Sequence, residues 1–191
     1  MPSERNAETG RSVSSHKLKA PEPLDPLCRI YEQTFDNQFT QRYRCLVIPD
    51  FDDDGYLPPG IHPATFDEIS QRLGWNGRRR GLLEGLTRGC DAIWLAGGGS
   101  VWVDGSFVTE KPLPGDFDAC WDHRLAALAT LDPILQDFTN DRARQKAKYG
   151  GEFFPNIREG QTSLLFVEFF QLRKDGGGRK GIIQINPGGL P

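Results

Sequence analysis

Histidine is scarce in this chain of 191 residues, which has three of them, and cysteine and methionine are scarce too, at four and one. Cys28, Cys45, Cys90 and Cys120 are widely scattered, with no C-x-x-C pair and no histidine at ligand spacing, so a zinc site is excluded. They read as reduced, mostly buried thiols. No apolar run approaches the roughly 20 residues that a bilayer span requires, which excludes a membrane protein and a membrane partner. The opening residues carry charges but no apolar core of signal-peptide length, so a cytoplasmic location is the expectation. Strong positive charge is also lacking: the net charge of -3 argues against a protein that mainly coats a nucleic-acid backbone. RNA stays open as a transient substrate.

What is present suits one domain with a real core and a short appendage. Residues 1–25 are rich in Ser, Pro, Glu and Lys, with too few large apolar side chains to offset the entropy of ordering, and are expected to be a disordered tail. Residues 26–45 mix aromatic and polar residues in an uncertain extension that is compatible with helix but lacks an apolar stripe. The compact domain is expected over 46–191, opening with a short extended piece and a Gly/Pro-punctuated loop.

Thr65 followed by Glu68 fits a capping box at the start of a helix. A second helix is expected from about Arg78 to Ala96, stopped by the triple glycine Gly97 to Gly99. SVWVDG reads as a strand, DFDAC as the next, and DHRLAALATL as a helix. Asp132 before Pro133 looks like the N-cap of a further helix running toward Lys148. Two late strands, SLLFVEFFQL and KGIIQI, are joined by RKDGGGR, which suits a hairpin turn. The fold class expected is α/β or α+β, a mixed sheet of about four strands with helices packed against it.

One acidic constellation carries chemistry. Asp116 and Asp118 flank Phe117, and along a strand residues i and i+2 share a face, so both carboxylates project together while Phe117 enters the core. Carboxylates held that close repel unless a cation sits between them, and oxygen ligands suit Mg²⁺ or Mn²⁺. Gly105 and Ser106, at the end of the preceding strand, offer a close backbone approach and a hydroxyl to a phosphate. Glu168, the lone charge in an apolar strand, is the best third carboxylate.

Val103-Asp104-Gly105-Ser106, nine residues, Asp116-Phe117-Asp118-Ala119 and the later Val167-Glu168-Phe169 resemble the signature of the polymerase-beta-like nucleotidyltransferase superfamily. Over about residues 46–186 the chain also resembles a small bacterial family of nucleotidyltransferase-like proteins, often suspected of belonging to toxin-antitoxin or defence loci. The resemblance implies that Gly105 and Ser106 bind the triphosphate, that Asp116 and Asp118 are metal ligands, and that Glu168 helps activate the incoming hydroxyl. Glu168 departs from the commoner aspartate by one methylene. The activity implied is transfer of a nucleoside monophosphate from a nucleoside triphosphate to a hydroxyl on an RNA end, a protein or a small molecule.

Other readings compete with these. Pro112, Pro114 and Gly115 are also compatible with a turn at Asp116 and Asp118, and Glu168 with a salt-bridged surface position. Lys111 and Lys180 are candidates for neutralising triphosphate oxygens, or solvated lysines. Arg78 to Arg80, and Arg142, Arg144, Lys146 and Lys148, read as RNA contacts or as solvated helix faces. The rival to an enzyme is a non-catalytic interaction protein on the same fold, working through a cognate toxin or antitoxin partner.

Overall fold

The computed structural model describes residues 48–187 and, ahead of them, two strands, β1 (Tyr31–Phe35) and β2 (Gln41–Cys45). These two pair antiparallel, so the helical reading of 26–45 does not hold over them. Tyr31, Thr34, Phe35 and Tyr43 are good strand formers, which fits the outcome. The tail expected over 1–25 lies outside the described residues.

The main sheet has five strands rather than about four: β3 (Gly60–Pro63), β4 (Val101–Asp104), β5 (Asp118–Trp121), β6 (Glu152–Pro155) and β7 (Gly181–Ile185). Their order is β3-β7-β4-β5-β6, with β4 antiparallel to both neighbours and the outer pairs β3/β7 and β5/β6 parallel. The fold is therefore mixed α+β. β4, β5 and β7 fall where strands are expected. β3 was hidden in the Gly/Pro-rich stretch, and β6 in the unassigned residues after Tyr149.

Alternation along the strands builds a core on each face. Val101, Val103, Ala119, Trp121, Phe153, Ile183 and Ile185 share one cluster with Ile69 and Leu73 of α1 (Phe66–Leu73) and Leu82, Leu86 and Ile93 of α2 (Gly77–Leu95). The alternate positions Trp102, Cys120, Phe154 and Ile182 form a second cluster with Phe166, Phe169 and Phe170 from the short helix α4 (Phe166–Phe169) and its end. Cys90 and Cys120 are free buried thiols, as expected.

The capping box on α1 is present in both directions, with Thr65 accepting from the Glu68 N–H and Glu68 accepting from the Thr65 N–H. α2 matches its expected span to within one residue at each end. Glycine inside α2 permits close packing: a Cβ on Gly85 would lie 1.7 Å from the Tyr149 carbonyl oxygen of α3 (Ala143–Tyr149).

Four expected features differ. Residues 163–172 do not form a strand; a short run apolar at nearly every position has no period that separates a strand from a buried helical turn, and here it folds as α4. RKDGGGR does turn, with Arg173 N–H donating to the Gly178 carbonyl, but it joins α4 to β7 rather than two strands. DHRLAALATL is a series of turns. Its Ala127 N–H donates to the Ala96 carbonyl, and Leu125 is 88% exposed, so no apolar stripe is buried to hold a helix there. Asp132 does cap a helical start, accepting from the Ile134 N–H, but the turn it opens is 3₁₀ and ends at Gln136.

Candidate functional site

The last residue of β4 and the first residues of β5 and β6 form a row of carboxylates. Asp104 is paired in register with Asp118 across the antiparallel ladder, and Asp118 with Glu152 across the parallel one. By strand alternation all three share the face of Trp102, Cys120 and Phe154. Asp116, two residues ahead of Asp118, lies before the strand begins, and Phe117 between them is fully buried. Phe117 therefore enters the core as its flanking acids imply.

Cations close the two ends of the row. Lys180 is buried with Asp104 and donates to its Oδ1 at 2.6 Å. Glu152 accepts from Arg142 at 2.8 Å and from Lys146 at 2.5 Å. Burial works to raise the Glu152 carboxyl, but the hydrogen bonds from Lys146 and Arg142 outweigh it and hold the group below its ordinary range. Asp118, in the middle, has no ion pair among the described residues. Burial, then the charges of Asp104, Asp116 and Glu152, push its carboxyl up to about 6.

Gly105 is required where it stands. Its φ of 83° and ψ of -171° lie in a region essentially closed to other residues, and a Cβ there would lie 2.9 Å from Asp118 Oδ2. Ser106 opens a 3₁₀ turn and its hydroxyl reaches the Asp116 carbonyl at 3.4 Å. The loop from Gly105 to Asp116 is fastened from α2 and its cap. Arg79, fully buried, donates to the carbonyls of Leu73, Phe107, Thr109 and Lys111; Arg78 donates to those of Pro114 and Gly115, and Asn76 to that of Pro112. Arg78 and Arg79 thus give most of their donors to this loop, while Arg80 donates to the Gly74 carbonyl. Arg142, Arg144, Lys146 and Lys148 are likewise each paired with an acid of the chain.

Asp104 and Asp118 open into a cavity of about 530 Å³. Arg142, Arg173 and Lys174 supply its cations, and Phe154, Phe166 and Phe169 its apolar wall. Arg142 sits in a three-residue left-handed turn, Asn140 to Arg142, with φ of 47°, 49° and 56°. Such backbone is costly for residues with a Cβ, and it aims Arg142 at both Glu152 and the Phe154 ring, 4.3 Å from its centroid. A larger groove of about 800 Å³ lies elsewhere, bordered by Trp75, Asp54 and Glu110, and neither Asp104 nor Asp118 lines it. The smaller cavity is the chemically relevant one because it holds the crowded carboxylates.

Residues 49–186 match the model of the family of unknown function DUF6932. The chain belongs to that family. No curated protein and no solved structure matches it.

In this DUF6932 chain Gly105, Ser106, Asp116 and Asp118 are brought together, whereas three other candidate positions are not where the sequence suggests. Glu168 lies on α4, where its Oε2 accepts the Leu165 N–H at 2.9 Å, and it does not line the cavity. Lys180 neutralises Asp104. Lys111 lines the larger groove. Asp104, Glu152 and Lys174 are the residues that sequence reasoning missed. Asp104 was legible, because alternation from Val101 puts it on the face opposite the buried valines. Glu152, after Gly150-Gly151 and before Phe153-Phe154, carries the weak signal of an acid opening a short strand.

Proposed function

We propose that the chain is a metal-dependent nucleotidyltransferase, transferring a nucleoside monophosphate from a nucleoside triphosphate to a hydroxyl. The observation that carries this reading is the unpaired Asp118, packed against Gly105 and crowded by Asp104, Asp116 and Glu152 in a cavity that also presents cations. Among the described residues no three ligating side chains converge as a ready metal site. A hard divalent cation such as Mg²⁺ or Mn²⁺ suits the donors that remain: Asp104 and Glu152 already have close cations of the chain, Asp116 has only the longer contact with Lys146 at 3.9 Å, and Asp118 has none among the described residues, so Asp116 and Asp118 would hold it. Bound there, such a cation would neutralise phosphate oxygens and polarise the phosphorus under attack.

The chain's own groups supply the rest. The backbone at Gly105 and the hydroxyl of Ser106 receive phosphate oxygens at the end of β4, and Lys174 adds a charge that makes no ion pair among the described residues. Glu152, rather than Glu168, is the third carboxylate beside Asp118; it is held ionised by Lys146 and Arg142 and adds negative charge behind Asp118. The acceptor oxygen bonds to the α-phosphorus, the bond to the bridging oxygen breaks, pyrophosphate leaves and the hydroxyl proton passes to a carboxylate or to water.

The test is incubation with each α-labelled nucleoside triphosphate, Mg²⁺ and total cell extract. Label is expected on an RNA, protein or small-molecule acceptor with wild type and not with Asp118→Asn. A second reading, a non-catalytic interaction protein of a toxin-antitoxin or defence system, is favoured by a separate apolar cavity of about 300 Å³. The exposed Leu128, Phe138 and Ile157 line it. No labelling by any nucleotide, with a partner protein bound through that cavity, supports this second reading.

A further inference from the structure

The wall opposite the carboxylates is unusually aromatic. Phe154 from β6, Phe166 and Phe169 from α4 and Phe170 at its end form one connected group, with ring centroids 4.5 Å apart for Phe154 and Phe166 and 6.3 Å apart for Phe166 and Phe169. All four line the cavity; Phe170 is buried, whereas Phe154, Phe166 and Phe169 are only partly buried. Partly exposed phenylalanines at a cavity wall leave flat apolar surface open to a planar ligand. The same cavity holds Asp118, Lys174 and Arg173 at its polar side. Flat apolar surface beside Lys174, the lining cation with no ion pair among the described residues, matches a molecule with a planar ring at one end and phosphates at the other.

We infer that Phe166 and Phe169 form a stacking platform for the base of the nucleotide, and that the site selects nucleotides as a class without reading base identity. This rests on the nucleotidyltransferase reading above. The second half follows from what the lining lacks. A base edge is read by amide, hydroxyl, guanidinium, ammonium or carboxylate groups placed in its plane. Among the described residues that line the cavity there is no Asn, Gln, Ser or Thr, and the lining carboxylate Glu159 is engaged by its own loop, accepting from the Gln161 and Thr162 N–H groups and the Thr162 hydroxyl. The two arginines are committed: Arg142 to Glu152 and the Phe154 ring, Arg173 to Asp54 and Asp175. Every base has a π-face, so stacking alone is tolerant of sequence.

Binding separates the parts. Dissociation constants are measured with Mg²⁺ for the four ribonucleoside triphosphates and for inorganic triphosphate, on wild type, Phe166→Leu and Phe169→Leu. Leucine keeps apolar bulk in the second core while removing the flat ring. All four nucleotides are expected to bind within about fivefold of one another, since one bidentate base contact would discriminate by about that much or more. Each is expected to bind at least about fivefold more tightly than inorganic triphosphate. The leucine variants lose that advantage and keep wild-type affinity for inorganic triphosphate. Nucleotides that bind no better than inorganic triphosphate overturn the platform and leave the phosphate site standing. Preference for one base beyond about fivefold overturns the class-wide selection. Equal loss of both ligands in both variants overturns the platform by making the phenylalanines structural. Failure of every phosphate compound to bind wild type overturns the nucleotidyltransferase reading and the platform with it.

Discussion

Asp118 faces Asp104 directly across the β4/β5 ladder, and Lys180 neutralises only Asp104, with its Nζ 2.6 Å from Oδ1. The pair is therefore unequal. Asp104 has a buried partner, and Asp118 keeps the uncompensated charge in the middle of the row.

That inequality gives a pH signature. Burial and the neighbouring acids hold the Asp118 carboxyl at about 6, above the value of about 3.9 for an unfolded aspartate. A group whose pKa is raised on folding is protonated more readily in the folded state, so its penalty is absent below pH 4, grows through pH 6 and is constant above. The full penalty is about 3 kcal/mol. Asp118→Asn is expected to match wild type near pH 4 and to be more stable by up to that amount at pH 7, in metal-free urea melts. A variant that unfolds at pH 7 makes Asp118 a structural residue instead.

Mg²⁺ and a nucleoside triphosphate should bind weakly alone and better together, because each supplies charge that the other leaves repelling. Calorimetry with the ligands added in both orders is expected to give the same coupling, on the order of tenfold. Asp116→Ala should abolish it. Equal nucleotide affinity with and without Mg²⁺ would contradict the cation assignment.

Lys180→Met should act on stability first. It leaves Asp104 buried without its cation, a loss of about 3–5 kcal/mol that is worse at pH 8 than at pH 5, since protonation of Asp104 relieves it. The double variant Asp104→Asn/Lys180→Met is expected to recover most of the loss. If the single variant keeps its stability and loses only triphosphate affinity, Lys180 is a phosphate ligand after all.

Arg79→Lys tests the fastening of the loop that carries Gly105 and Ser106. One ammonium does not reach the carbonyls of Leu73, Phe107, Thr109 and Lys111 together, and each one left unpaired costs about 1–3 kcal/mol. A total loss of about 3 kcal/mol is expected, with faster hydrogen exchange over residues 107–111. Unchanged exchange there would mean that the loop holds itself.

Local signals were legible wherever neighbours in sequence are also the interacting partners. The Thr65/Glu68 box is a contact between residues three apart, and α2 is bounded by Asn76, whose side chain accepts the Arg79 N–H, and by the turn at Gly97. The pattern Asp116, Phe117, Asp118 correctly put Phe117 in the core, although the strand begins only at Asp118. Gly105 was singled out in the sequence for close approach to a phosphate; the structure shows a different need for glycine there, a φ of 83° beside the Asp118 carboxylate.

Which acids and lysines meet was decided by the tertiary structure. Glu168 and Glu152 both stand beside phenylalanine, yet the parallel register of β5 and β6 places Glu152 next to Asp118, while the 163–172 run folds as α4 and turns Glu168 to its own helix start. Lys180 and Lys174 are six positions apart by number; one is buried on Asp104 and the other lines the cavity. Sequence determined which residues can carry charge or alternate on a strand, since those are properties of single side chains and short backbone stretches. The pairing of distant strands determined which charges are neutralised and which remain, because electrostatic energy depends on separation in space and on burial.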